Sequence, residues 1–224
     1  MPTWINTTDL GSTTSTSYTA SYTISSGSNP CLLIKLTTGA DPTGSSMSAT
    51  YNGVAMAGPY AVNTDWNQYF FVLTGPATGA NNIVASTSGS ATFIAIIASE
   101  YDLVNPNQVT FPNLSTTDSI IEDTYSSVFY NPLKYAVVVG WSQGGTANSP
   151  GTSGSFTTRF VVSDSSALLC DYSPFAVGNV TLTTNYPSMG NFRQGHLFIS
   201  LDGLSVTADS SSGLDMSSKA LADF

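Results

Sequence analysis

The stretch Cys31-Leu-Leu-Ile-Lys-Leu36 decides the fold, because it begins a series of five β-type runs that the chain presents twice. The runs that follow it are Met47-Ser-Ala-Thr-Tyr-Asn52 continuing into Gly53-Val-Ala-Met56, Tyr69-Phe-Phe-Val-Leu73, Asn82-Ile-Val-Ala85 and Ala91-Thr-Phe-Ile-Ala-Ile-Ile97. The second series, about a hundred residues later, is Tyr135-Ala-Val-Val-Val139, Phe156-Thr-Thr-Arg-Phe-Val-Val162, Ala167-Leu-Leu-Cys-Asp-Tyr172, Val180-Thr-Leu-Thr183 and His196-Leu-Phe-Ile-Ser-Leu201. Short strands separated by Gly, Pro, Asn and Ser are typical of all-β folds. The sequence therefore predicts a single antiparallel, jelly-roll-like β-sandwich with an internal pseudo-duplication of about five strands in each half.

The chain is predicted to form one domain with two flanks. All-β domains reach about 200–250 residues as one unit, and two half-sheets that bury each other are more stable than two marginal cores of about 90 residues. We therefore expect the β-sandwich to span residues 29–204. Residues 1–28 are a Ser/Thr-rich N-terminal arm, expected to be disordered alone or to add as a strand to a neighbouring subunit. Residues 205–224 are a C-terminal tail in which Leu214, Ala220, Leu221 and Phe224 indicate a short amphipathic helix.

Charged residues are scarce in this chain. They make up 8% of it, whereas Ser and Thr together number 63, so the surface is expected to be neutral and suited to close packing against other subunits. The net charge is -9 and the basic residues are dispersed, which argues against nucleic acid as a partner, because phosphate binding requires clustered Lys and Arg. No run reaches the ~18–20 apolar residues of a membrane span, and residues 1–8 lack the basic and apolar segments of a signal peptide.

Two cysteines, Cys31 and Cys170, lie in apolar runs of the two halves. In a secreted protein they would form one bridge across the sandwich, and in a reducing cytosol they would be buried free thiols, which is the state we expect. Two Cys and one His without carboxylates at ligand spacing exclude a zinc site. A loop with Asp118, Glu122 and Asp123 has the ligand type of a calcium site, although a solvated acidic loop accounts for it as well.

The segment Tyr135-Ala-Val-Val-Val-Gly140-Trp-Ser142-Gln-Gly144 has the local form of the nucleophile elbow of α/β-hydrolases. Asp164 or Asp171 and then His196 follow it in the order that this fold uses. The elbow requires a helix after the serine, and Gly145-Thr-Ala-Asn-Ser-Pro150 cannot form one. A serine hydrolase is therefore the weakest of three functional hypotheses, and we expect no enzyme activity.

Aromatic side chains in loops raise the possibility of sugar binding, because exposed rings on a β-sandwich stack on sugar faces. A large β core accounts for the same aromatic content without any ligand. The candidates for such rings are Trp66, Trp141, Tyr51, Tyr60, Tyr125 and Tyr186.

Four segments together resemble a β-sandwich domain that recurs in phage virion proteins and bacterial surface proteins. They are Asn29-Pro-Cys-Leu-Leu-Ile34, Ala49-Thr-Tyr-Asn-Gly-Val-Ala-Met56, Phe71-Val-Leu-Thr-Gly-Pro-Ala-Thr-Gly-Ala-Asn-Asn-Ile-Val84 and Ile94-Ala-Ile-Ile-Ala-Ser-Glu-Tyr101. The element Tyr51-Asn-Gly-Val-Ala55 is the most specific part of the resemblance, which covers residues 29–204. The resemblance implies a structural or adhesive role, and it carries no catalytic, cofactor-binding or metal-binding residues.

These expectations combine into a virion structural protein, a capsid-decorating or head-fibre component that forms homo-oligomers and packs against other virion subunits. A surface rich in Ser and Thr without an export signal fits a protein that is assembled in the host cytoplasm and exposed only with the particle; the alternative is a secreted protein whose signal has been removed. The rival function is a glycan-binding adhesin or a tail receptor-binding module that contacts a host surface glycan. No cofactor and no membrane insertion are expected.

Overall fold

The computed structural model describes residues 1–38, 46–63, 68–89, 93–110, 115–116, 124–131, 136–143, 151–153, 155–162, 167–172, 177–185 and 195–203. All regular elements in these ranges are β-strands, and no helix that could cross a membrane occurs in them. The prediction of an all-β antiparallel sandwich is confirmed. The predicted tail at 205–224 lies outside the described residues.

The strands divide into two series along the chain. The first series is β1 (Thr3–Thr13), β2 (Ser17–Ile24), β3 (Cys31–Thr38), β4 (Met47–Tyr51), β5 (Val54–Ala55), β6 (Ala57–Asn63), β7 (Gln68–Thr74), β8 (Gly79–Thr87) and β9 (Ile94–Asp102). The second series is β10 (Val104–Thr110), β11 (Ser115–Thr116), β12 (Thr124–Asn131), β13 (Val137–Gln143), β14 (Gly151–Ser153), β15 (Thr157–Val162), β16 (Ala167–Tyr172), β17 (Gly178–Asn185) and β18 (Gly195–Gly203).

Each series builds one large and one small antiparallel sheet. In the first series, the first inner sheet has the order β1-β9-β3-β7-β6, and the first outer sheet has the order β2-β8-β4-β5. In the second series, the second inner sheet has the order β10-β18-β13-β16-β15, with β11 also paired to β18, and the second outer sheet has the order β12-β17-β14. The strand orders of the two series therefore correspond, except that β5 and β11 have no counterpart among the described strands, and their origin by sequence duplication stays a prediction.

Side chains alternate along each strand and divide the buried residues into three cores, so the four sheets stack as outer, inner, inner, outer. Leu32 and Ile34 of β3 face the first outer sheet, whereas Cys31 and Leu33 face the second inner sheet. The contact between the two inner sheets consists of Cys31, Leu33, Phe70, Val72, Ile97, Tyr101, Val104, Val137, Val139, Leu169, Ile199 and Leu201. The two halves consequently share one core, and the sandwich has four layers.

The N-terminal segment is not a separate arm, which corrects the prediction for residues 1–28. Strand β1 pairs with β9 from Thr3 to Thr13, and β2 pairs with β8 from Ser17 to Ile24, all within the chain. These strands occupy the positions that β10 and β12 have in the second half. Tyr22 and Ile24 of β2 are buried in the core below the first outer sheet. The order of this segment therefore has an intramolecular cause, and it supplies no support for strand addition to a neighbour.

One equivalence between the two predicted series of runs is also wrong. By their order in the two series, Phe156–Val162 corresponds to Met47–Met56, but β15 occupies the position of β6, and the short strand β14 occupies that of β4. The other four matches agree with the strand order, because they fall on β3, β7, β8 and β9 and their counterparts.

The element Tyr51-Asn-Gly-Val54 is a two-residue hairpin that joins β4 to β5. Asn52 and Gly53 have φ values of 50° and 76°, and Tyr51 pairs with Val54. Positive φ at both central residues defines a type I′ turn, whose twist matches that of the flanking strands and for which Asn-Gly is the preferred sequence. The segment that carries most of the resemblance is therefore a local turn signal.

The shared core predicts cooperative unfolding. Leu33→Ala removes a buried side chain from the contact between the inner sheets, and we expect it to lower the free energy of unfolding by about 2–5 kcal/mol in a single transition. Denaturation by guanidinium chloride, followed by tryptophan fluorescence and by far-ultraviolet circular dichroism, measures this change. Ser21→Ala on the exposed face of β2 is the control, with an expected change within about 0.5 kcal/mol. Two separate transitions, or a stable fragment 1–103, would show that the halves are independent.

Candidate functional site

The Gly140-Trp-Ser142 segment lies within a strand and does not form a nucleophile elbow. Ser142 pairs with Leu168 of β16 on one side and with His196 of β18 on the other, and strand pairing continues to Gln143. An elbow places its serine on a sharp turn between a strand and a helix. The described part of the motif therefore lacks the required backbone geometry, and residues 144–150 lie outside the description.

Gly140, the first glycine of the motif, has a packing role. A Cβ atom at this position would lie 2.9 Å from Leu182 Cδ2 and 3.2 Å from Cys170 Sγ. The side chain of Leu182 comes from β17 of the second outer sheet, so a glycine lets that sheet approach β13 closely. The glycine that suggests a hydrolase is explained by the contact between two sheets.

His196 is fully buried beneath the second outer sheet. Its Nε2 lies 2.7 Å from Thr184 Oγ1, and its ring lies edge-on to Phe198. Burial lowers the pKa of His196 to about 3, so the imidazole is neutral at physiological pH. A buried, neutral histidine held by a threonine is a structural residue of the core.

Asp171 lies on the opposite face of the second inner sheet from His196. Leu169 and Asp171 are two residues apart in β16, so both point toward the first inner sheet. His196 and Phe198 of β18 point toward the second outer sheet. The structure therefore brings Ser142 and His196 into strand register but separates Asp171 from both. Asp164, the other candidate acid, lies outside the described residues.

Asp171 belongs to a polar cluster that joins the two halves. Arg159 Nε lies 2.9 Å from both carboxylate oxygens of Asp171, and the Tyr101 hydroxyl donates to Asp171 Oδ2 at 3.3 Å. The Arg159 guanidinium lies 5.2 Å from the centre of the Trp4 ring. The carboxylate of Asp171 raises the pKa of Arg159, and burial raises the pKa of Tyr101. The cluster thus connects β1 and β9 of one half to β15 and β16 of the other.

Two further ionisable residues, Lys35 and Glu100, are buried in the first inner sheet. Burial lowers the pKa of Lys35 to about 7. Burial also raises the pKa of Glu100, which accepts a hydrogen bond from Ser25 N at 2.9 Å. This bond ties the connection that follows β2 to the end of β9.

The two cysteines are free, as expected, and each is sealed in a different core. Cys31 belongs to the contact between the inner sheets, and Cys170 to the core beneath the second outer sheet. Burial raises the pKa of the Cys31 thiol to about 12 and that of Cys170 well above its usual range. Both thiols are therefore protonated and inaccessible.

No metal site is found within the described ranges, where no three His, Cys, Asp or Glu side chains come together. The loop residues Asp118, Glu122 and Asp123, considered for calcium, lie outside these ranges.

Of the six aromatic residues proposed for sugar stacking, the structure describes the side chains of two, Tyr51 and Tyr60. Tyr51 is buried and donates a hydrogen bond from its hydroxyl to Gly79 O at 3.0 Å, so its ring is unavailable to a ligand. Tyr60 is half-buried against the contact between the inner sheets. Trp66 and Tyr186 lie outside the described residues, as do the side chains of Trp141 and Tyr125. Tyr130, on the outer face of β12, is an exposed aromatic residue that the sequence analysis did not identify.

The outer faces of the two outer sheets are neutral. None of their seven strands, β2, β8, β4, β5, β12, β17 and β14, contains a charged residue. The first outer face carries cross-strand rows of hydroxyl groups, with Ser48 Oγ 2.9 Å from Ser86 Oγ. The second outer face repeats this arrangement, with Ser126 Oγ 2.7 Å from Thr183 Oγ1.

Comparison of the chain with protein-family models, with curated proteins and with solved structures gives no match. The resemblance to phage virion and bacterial surface domains therefore stays a prediction from the quoted sequence segments.

The strand geometry at Ser142 leads to an expectation about catalysis. Because Ser142 lies within a paired strand, the purified protein should hydrolyse a p-nitrophenyl ester no faster than its Ser142→Ala variant and should not be labelled by a serine-directed phosphonate. Label incorporation measured by mass spectrometry tests this directly. Stoichiometric labelling that is lost in Ser142→Ala would contradict it.

The buried His196 should make stability depend on pH. The pKa of His196 in the folded protein is about 3, below the ordinary value of 6.5, so the unfolded chain binds the proton more readily. The neutral His196 contributes to the free energy of unfolding in full above pH 6.5, and this contribution is lost as the pH falls towards 3. We expect His196→Gln, whose amide retains a partner for Thr184, to flatten this decline by on the order of 1 kcal/mol per pH unit. Urea denaturation of both proteins across this range measures the difference, and identical slopes would contradict it.

Proposed function

We propose that this protein is a non-enzymatic structural subunit of a virion, a capsid-decorating or head-fibre component that packs against other virion subunits. The observation that carries the proposal is the complete lack of charge on the seven strands of the outer sheets. In the described part of the chain, all charged side chains lie on strands of the inner sheets: Lys35, Glu100 and Asp171 are buried, Asp102, Arg159 and Asp202 are half-buried, and Asp9 is exposed.

Neutral faces are suited to repeated contact between subunits. The centres of protein interfaces are depleted of charged residues, because burying an unpaired charge costs more than the contact gains. Serine, threonine and asparagine side chains on these faces lose water but form new hydrogen bonds across a contact. Because the two outer sheets lie on opposite sides of a four-layered stack, one subunit can contact two neighbours.

The second candidate function is a glycan-binding adhesin or tail receptor-binding module, and Tyr130 is the observation that favours it. Tyr130 is exposed on the second outer face, and its cross-strand partner Asn179 is exposed as well. An aromatic ring beside an amide offers both stacking and hydrogen bonds to a neutral sugar. The third candidate, a serine hydrolase, gains no support from the strand geometry at Ser142.

Particle incorporation tests the structural role. Purified virions that encode this chain should contain it in many copies, measured by quantitative mass spectrometry. The double variant Thr19→Lys and Thr23→Lys places charges on the exposed positions of β2, and we expect about tenfold or greater loss of incorporation, since each tenfold corresponds to about 1.4 kcal/mol.

A matched control has the same charge change elsewhere. Thr3→Lys with Ser12→Lys modifies exposed positions of β1, at the edge of the first inner sheet, and should leave incorporation unchanged. Particles without the protein would contradict the virion proposal. Binding of the wild-type protein to a neutral glycan array that is lost in Tyr130→Ala would support the adhesin instead.

A further inference from the structure

The edge strands of the inner sheets all carry features that hinder pairing with another chain. Strands β1 and β6 have shifts in their pairing register, and β6 also contains Pro59. Strand β10 has a register shift and contains Pro106, and β15 has a shift between Thr158 and Phe160. Bulges and prolines at edges are the usual protection against edge-to-edge association.

Two edge strands of the outer sheets lack this protection. Strands β5 and β14 are protected by their length, being only 2 and 3 residues long. In contrast, β2 and β12 are each 8 residues long, contain neither proline nor charge, and pair without a register shift. Among the described residues, β2 pairs only with β8 and β12 only with β17. Within the described ranges, one edge of each of these two strands has no paired strand beside it.

The surroundings of β12 distinguish it from β2. Val128 and Tyr130 of β12 are 59% and 56% exposed, and Val177, just before β17, is 50% exposed. The corresponding exposed face of β2 carries Ser17, Thr19, Ser21 and Thr23. Pairing along β12 would therefore remove apolar surface from water, whereas pairing along β2 would bury hydroxyl groups.

We propose that β12 is a homodimerisation edge, which pairs antiparallel with β12 of a second copy of this chain. This dimer rests on the structural function proposed above, for which it names the partner and the contact. Two-fold antiparallel pairing is self-complementary and joins two three-stranded outer sheets into one sheet of six strands.

A second copy suits this edge because β12 pairs well with itself. An antiparallel pair centred near Val128 places Val128 and Tyr130 of both copies on the same sheet face, where β-branched and aromatic side chains pair favourably. Like charges directly opposite each other destabilise such pairs, and β12 has none. The closed two-fold contact also leaves the neutral face beside it available for other subunits.

Disulfide trapping in the full-length protein tests the pairing. The native thiols of Cys31 and Cys170 are buried, so any disulfide that forms between two copies comes from the introduced, exposed cysteine. Val128→Cys should form a disulfide-linked dimer under mild oxidation, because directly opposed strand residues are close enough to be bridged. Ser21→Cys, on the unshifted edge strand β2, should form no disulfide-linked dimer.

Thr181→Cys is the second control, because Thr181 is exposed on the same face as Val128 but lies one strand inward from the edge. It should not cross-link if the contact is edge to edge. Light scattering of the wild-type protein should give twice the chain mass of 23.4 kDa, and Val128→Lys should reduce it to the single chain mass with unchanged circular dichroism.

Other outcomes would overturn the proposal. A monomeric wild-type protein excludes the pairing, and if this monomer still enters particles, the structural function survives without it. Cross-linking of Thr181→Cys as efficiently as Val128→Cys indicates face-to-face packing. A mixed disulfide between Ser21→Cys and Val128→Cys chains indicates β2-to-β12 pairing, which builds open chains instead of a dimer.

Discussion

The contact between the two inner sheets is the constraint on which the rest of the molecule depends. Because it covers one face of each inner sheet and an outer sheet covers the other, the central strands are buried on both faces. Such strands must be apolar at nearly every position, which explains the continuous run from Cys31 to Leu36. Polar residues in these strands, such as Lys35 and Asp171, are sealed from solvent and have to be accommodated within the layers.

Corresponding positions in the two halves accommodate buried polar groups with different chemistry. Near the end of β9, the carboxylate of Glu100 accepts a hydrogen bond from Ser25 N, just after β2. Near the end of β18, the hydroxyl of Ser200 donates to Asn131 Oδ1 at the end of β12, at 2.9 Å. Each half thus joins its last inner strand to its first outer strand, once with an ionisable group and once with neutral groups. In both halves a buried polar group at this position requires a hydrogen-bond partner, but the residues that form the bond differ.

The sequence predicted the central strands of the sheets well and most of the edge strands poorly, for one physical reason. A strand buried on both faces appears as an apolar run, whereas an outer edge strand buries only alternate residues and can carry Ser and Thr elsewhere. Strand β2 has this second pattern, with Tyr22 and Ile24 buried among exposed Ser and Thr, and its sequence therefore predicts an arm. The stacking of four layers was also beyond prediction, because sequence alternation does not show which sheet covers which face.

The candidate site shows the same limit. The letters Gly-Trp-Ser-Gln-Gly matched a catalytic motif, but the spacing of residues in a sequence does not distinguish a strand interior from a strained turn. Gly140 is required by the approach of Leu182, and His196 by its bond to Thr184. Conversely, the exposed side chains of Val128 and Tyr130 carried no signal, because apolar residues in a β-run are ordinarily assigned to a core.

The placement of the two thiols in separate cores has a consequence for where this fold can exist. Since Cys31 and Cys170 are enclosed by different pairs of sheets, neither can reach the other without unfolding, and no covalent crosslink within the described chain has to form or break for the fold to be complete. The native state therefore has the same covalent structure in a reducing compartment and in an oxidising one. A molecule of this kind matures without an oxidant and crosses from one redox environment to another unchanged.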